Sequence, residues 1–211
     1  MSADSAREAV LGRVREALRG TERQPLSAVP RDYRTSRPAD DLVGLFCEAV
    51  ADYKATVDRV AGDAVPSAIA TTARASGARR LLIPDGAPRA WSEALREEFE
   101  LVDPAAGTEA LEQVDAVITT AAVGIASTGT IVLDHGPGQG RRAVTLVPDV
   151  HICVVAENQV ADDVPAAMSR LDPVRPTTFI SGPSATSDIE LKRVEGVHGP
   201  RTLHVLVAPM P

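Results

Sequence analysis

The chain has 211 residues, 44% of them hydrophobic and 24% charged, and a formal net charge of −7. This length fits one large domain that buries about 70% of its unfolded surface and needs neither disulfide nor metal to fold. The acidic balance and six aromatic residues exclude the basic stripe and stacking platforms of a nucleic-acid binder, and two cysteines, Cys47 and Cys153, are too few to hold an iron–sulfur cluster alone.

Residues 5–19 are predicted as the first helix. Val10, Leu11, Val14 and Leu18 recur at helical spacing, Ser5 and Glu8 fit a capping box, and Gly20 supplies the stop. Residues 21–38, with scattered charges and three prolines, read as a connector. A second helix is expected over 40–53, behind the caps Asp40 and Asp41, with Leu42, Leu45, Phe46, Ala49, Val50 and Tyr53 on one face. Residues 1–53 are therefore expected to form a helical appendage to an α/β domain over 54–211. From Lys54 the pattern alternates: KATVDRV, RRLLIPDG, FELV and VDAVITT read as strands, separated by helices over 63–76 and 90–98 and a helical turn over 108–112. That alternation argues for parallel pairing. After residue 128 the connections shorten. GTIVLDH, RAVTLV and HICVVA read as three strands that add an antiparallel or mixed portion, with VPDV hairpin-like. Asp162 or Asp163 caps a helix with Pro165 in its first turn, and TTFIS and TLHVLVA are the last two strands. The expected fold is α/β, a mixed open sheet with flanking helices. The opening MSADSAREAV has no apolar signal core, and the uncharged run 116–133 is broken by Gly124 and Gly129. The expectation is a cytoplasmic protein with no membrane span.

Three stretches could carry chemistry. In GIASTGTIVLDHGPGQGRR, the glycines Gly136, Gly138 and Gly140 have neither dinucleotide-fingerprint nor phosphate-loop spacing. The run is either a mobile surface loop or a flexible flap whose Arg141 and Arg142 clamp an anion. The turn Ser127-Thr128-Gly129-Thr130 is either a polar turn or a nest of hydroxyl and backbone donors for an anion. In SGPSATSDIELKRVEGVHGPRTL, the strand TTFIS runs through Gly182, Pro183 and Ser184 into what reads as a helix start, with Ser187 and Glu190 as a capping box. Helix starts after strands also bind ligands at the carboxyl ends of open sheets. Ser184, Thr186 and the loop amides are then the candidate donors to a carboxylate or phosphate, with Asp188 paired to Arg201 or His198. Asp188, Glu190 and His198 are candidate acid/base groups. The Thr128–Thr130 turn and the Gly182–Asp188 stretch are expected to meet at one edge of a single sheet. His135, His151 and His204 have no metal-ligand spacing.

The strings GIASTGTIVL, SGPSATSDIE and GVHGPRTLHVLV resemble the LUD-domain family over residues 114–208. The resemblance implies a fold akin to glucosamine-phosphate isomerase, ribose-phosphate isomerase and the CoA transferases. It also implies a role in oxidising L-lactate to pyruvate beside two partner proteins that carry iron–sulfur clusters, with no cofactor held by this chain. Relatives carry an acidic residue at the position of Ser127, so this chain departs from the pattern there. Two functions stay open: a non-redox subunit of that system that binds a small carboxylate or phosphate, and a self-sufficient isomerase- or CoA-transferase-like enzyme acting on a phosphorylated or acyl substrate. Ser127 is a poor substitute for the carboxylate nucleophile that a covalent transferase needs.

Overall fold

A computed structural model describes residues 3–21, 25–30, 32, 39–183, 185–187, 193–195 and 199–210. They fall into two units, Met1–Arg34 and Thr35–Pro211. The first carries the predicted helix, α1 (Ala3–Ala17), and a short helical turn at Leu26–Ala28.

The second unit begins with α2 (Leu42–Asp52), whose cap Asp41 accepts a hydrogen bond from the Gly44 amide at 2.8 Å. There follow β1 (Thr56–Arg59), α3 (Val65–Ala75), β2 (Arg80–Leu82), α4 (Arg89–Leu95), β3 (Glu100–Val102), α5 (Thr108–Leu111) and β4 (Ala116–Thr120). Next come β5 (Val123–Ile125), β6 (Thr130–Leu133), β7 (Val150–Ala156), β8 (Val160–Ala161), α6 (Val164–Met168) and β9 (Thr178–Ile180). The chain ends with β10 (Ala185–Ser187), β11 (Arg193–Glu195) and β12 (Thr202–Ala208).

The main sheet has the order β1-β12-β7-β4-β2-β3, and every neighbouring pair is parallel. Its central strands are apolar on both faces because both faces are covered. On β7, Ile152 and Val154 join Val65, Ile69 and Ala73 of α3 and Trp91 and Leu95 of α4 in one core. Cys153 and Val155 point the other way, into a second core with Phe46 and Val50 of α2 and Ile131 and Leu133 of β6. Period-two alternation thus splits one buried strand between two cores. The second sheet, β8-β5-β6-β9, is mixed: β5–β6 and β6–β9 are antiparallel and β5–β8 is parallel. The mixed α/β architecture with flanking helices is as expected.

The division into units falls between Arg34 and Thr35, and α2 packs with the sheets. Three details differ from the sequence reading. The antiparallel pairs form their own sheet, while β7 sits at the centre of the parallel one. RAVTLV is no strand: Arg142–Thr145 makes a helical turn, with the Thr145 hydroxyl donating to the Arg142 carbonyl at 3.1 Å. Such local hydroxyl bonds compete with sheet pairing. Ser187, expected at a helix start, ends a strand: Ala185–Ser187 pairs antiparallel with Arg193–Glu195 as a two-stranded ribbon.

Candidate functional site

Pairing of β6 with β9 places Ile131 opposite Ile180 and brings the turn before β6 against the segment after β9. The Thr130 hydroxyl is the hub. It lies 2.7 Å from the Thr128 hydroxyl and 2.8 Å from that of Ser181. The two predicted stretches therefore meet, at the end of the second sheet. Gly129 and Gly182 are needed there for another reason. Both have positive φ, +58° and +83°, and an added Cβ would come within 2.4 Å of the Ala49 carbonyl group and 2.6 Å of the Tyr53 carbonyl oxygen. Their bare faces press on the backbone at the end of α2. Ser127 is likewise engaged, donating to the Asp163 carboxylate at 2.9 Å.

A cleft of about 310 Å³ opens beside this hub. Thr178, Phe179, Ile180, Ser181 and Gly182 form one wall, and Arg142 and Thr145 another. His151 and Leu203, each the second residue of β7 and β12, close the floor. The cleft thus lies at the amino ends of the central parallel strands, not at their carboxyl ends. At the carboxyl ends of β2 and β4 the Gly-rich loop occupies the crevice: the Gly138 amide donates to the Asp85 carbonyl at 2.7 Å, and the Thr120 amide to the Gly138 carbonyl at 2.9 Å. The Thr120 hydroxyl also donates to the Pro137 carbonyl at 2.9 Å. Hydrogen bonds thus tie this loop to the sheet.

Of the predicted ligand-binding residues, Gly182 lines the cleft, and Thr128 and Thr130 reach it only through Ser181. Arg141 does not belong to it. Its guanidinium donates to the Ala106 carbonyl, and it borders a separate hollow with Asp85 and His135. Arg201 forms a two-pronged pair with Asp149; the pairing of Asp188 with Arg201 or His198 falls on a residue outside the described ones. Thr186 lies on β10 opposite Val194. Ser184, Asp188, Glu190 and His198 lie outside the described residues.

Sequence reasoning missed the floor of the site. His151 is 1% exposed, and its Nε2 lies 2.8 Å from the Thr119 hydroxyl. Burial pushes its imidazole down to about 4 from an ordinary 6.5, so it is neutral at physiological pH. The signal was present: HICVVA is an apolar central strand whose only strongly polar residue is that histidine. Arg141 borders the other hollow, whereas Arg142, expected with it to clamp an anion, lines the cleft. It makes no ion pair among the described residues, and the described lining of the cleft contains no carboxylate. A lone guanidinium, three hydroxyls and a neutral imidazole suit a small anion with a polar substituent. Among the described residues, no group of three or more His, Cys, Asp or Glu side chains is placed to hold a metal ion. No described helix is long and apolar enough to cross a membrane.

A sequence model of the LUD domain matches residues 90–208. The chain belongs to the LUD domain family. It is 40% identical to lactate utilization protein C of Deinococcus radiodurans, over 98% of this chain and 97% of that protein. To lactate utilization protein C of Halalkalibacterium halodurans it is 29% identical, over 93% and 92% of the two chains. The crystal structure of a DUF162 family protein from Deinococcus radiodurans superposes with a TM-score of 0.67 at 37% identity, covering 81% of this chain and 99% of that one. The matched LUD region includes β7, β9 and β12, so every described wall of the cleft lies inside it.

Proposed function

We propose that this LUD-family chain works in lactate utilization as a non-redox subunit, binding a small carboxylate in the cleft between β9, Arg142 and His151. The observation that carries this reading is the cleft's charge pattern: Arg142 without a carboxylate beside it among the described residues. The near full-length likeness to proteins named lactate utilization protein C supports the metabolic setting. Two partner proteins carry the iron–sulfur clusters and receive the electrons. Two separate cysteines in the whole chain support that division of labour. The reading places the protein in the cytoplasm.

Tagged chain, recovered from its native host, tests this directly. The expected result is co-purification of two iron-containing proteins and lactate oxidation by the complex, with no flavin or iron–sulfur absorbance in this chain alone. Recovery of the chain free of iron proteins, with lactate oxidation intact in the fraction lacking it, contradicts the reading.

A further inference from the structure

The floor of the cleft is a chain of hydrogen-bonding groups. The Thr119 hydroxyl lies 2.8 Å from His151 Nε2 and 3.6 Å from Cys153 Sγ, and the Cys153 thiol donates onward to the Thr120 carbonyl at 3.8 Å. A hydroxyl has one proton and spare lone pairs. With that proton directed at sulfur, the Thr119 oxygen receives the N–H of His151 Nε2 and Nδ1 carries a bare lone pair; the 2.8 Å contact admits either tautomer, and the one with the proton on Nε2 is part of what is proposed. Nδ1 makes no hydrogen bond among the described residues, in a side chain that is 1% exposed and lines the cleft.

On the wall, His135 Nδ1 donates to the Gly140 carbonyl at 2.9 Å, and its Nε2 lies 3.2 Å from the Thr178 hydroxyl. Arg142 is the one charged group in the described lining. The cleft thus offers a cation at one wall and, with the proton of His151 on Nε2, an acceptor at the floor.

We propose that His151 is a specificity-determining residue: its Nδ1 accepts a hydrogen bond from the hydroxyl of a 2-hydroxy carboxylate whose carboxylate rests on Arg142. The inference rests on the cleft being the carboxylate site. A 2-oxo acid turns a carbonyl lone pair toward the Nδ1 lone pair, which is repulsive. A plain carboxylic acid leaves Nδ1 without a partner. Burial keeps the ring uncharged at neutral pH, so His151 does not act as a second cation that would attract all three alike. A site built around a hydroxyl rejects the analogue that lacks it because its own buried group is left unpaired.

Titration calorimetry of the full chain at neutral pH with L-lactate, pyruvate and propionate tests the inference. L-Lactate is expected to bind about tenfold more tightly than either of the others, and the preference is expected to vanish in His151→Phe. Nitrogen-15 spectroscopy of the wild-type histidines supplies a reading independent of any variant: His151 should show a pyridine-type Nδ1 and a protonated Nε2. Equal affinities for lactate and pyruvate, a preference retained in a folded His151→Phe, or a proton on Nδ1 overturn the inference and leave the carboxylate site standing. Failure of all three carboxylates to bind overturns the site and the inference together.

Discussion

At Gly129 a methyl group has nowhere to go. The residue sits at φ +58°, and a Cβ would lie 2.4 Å from the carbonyl carbon and oxygen of Ala49. Those are backbone atoms of α2, which cannot rotate aside as a side chain would. Gly129→Ala should therefore cost about 2 kcal/mol or more, as strain and steric conflict act together; urea denaturation of variant and parent gives the value. His151 supplies the second prediction at this scale. Its folded pKa is depressed to about 4, so between about 6.5 and 4 the unfolded chain binds the proton first. The stability associated with its neutral form is fully present above 6.5 and is lost as pH falls through this window. The loss amounts to about 3 kcal/mol at 1.36 kcal/mol per pKa unit. Half-buried His204 shifts the same way, with burial outweighing the attraction of Asp58. Denaturation midpoints from neutral to acid pH should show a shallower decline in His151→Phe than in the parent chain. Parallel declines would mean that His151 titrates normally.

Among the elements, α2 ties the start of the second unit to its core. Its apolar face was read correctly from the sequence, with Phe46 and Val50 inward, but composition alone does not say which core a face enters. Phe46 is 0% exposed and packs with β6, β7 and β12 residues. A chain starting at Thr35 should therefore unfold at a denaturant concentration close to that of the full chain, whereas one starting at Lys54 should not fold. Phe46→Ala should cost about 3–5 kcal/mol. If the chain starting at Lys54 folds cooperatively, α2 is dispensable. Strands such as β4, β7 and β12 were legible because double-sided burial leaves continuous apolar runs. RAVTLV is also rich in apolar residues, but a side chain-to-backbone bond at Thr145 settles it as a turn. Likewise the Ser187–Glu190 spacing satisfies a capping box, yet Ala185–Ser187 finds strand partners in Arg193–Glu195. Local signals were sound where tertiary pairing agreed with them and misleading where it competed.

For the molecule as a whole, the site lies where two sheets adjoin, and this explains which of its parts could be foreseen. The meeting of the Thr130 turn with Ser181 and Gly182 follows from adjacent strands in one sheet and was expected from the sequence. His151 and Leu203 come from the other sheet, at the amino ends of its strands, and no local pattern brings them to the same cleft. The Gly-rich loop, the most conspicuous motif, instead fills the crevice at the carboxyl ends of β2 and β4. Arg142 is proposed to anchor a carboxylate on behalf of a lactate-oxidising complex. Lactate-dependent reduction of an artificial electron acceptor by the complex reconstituted with its iron–sulfur partners tests it most directly, with this chain either native or carrying Arg142→Ala. The variant should still assemble, because Arg142 makes no ion pair among the described residues, and activity at limiting lactate should fall at least about tenfold. An assembled Arg142→Ala complex with undiminished activity at limiting lactate would contradict it.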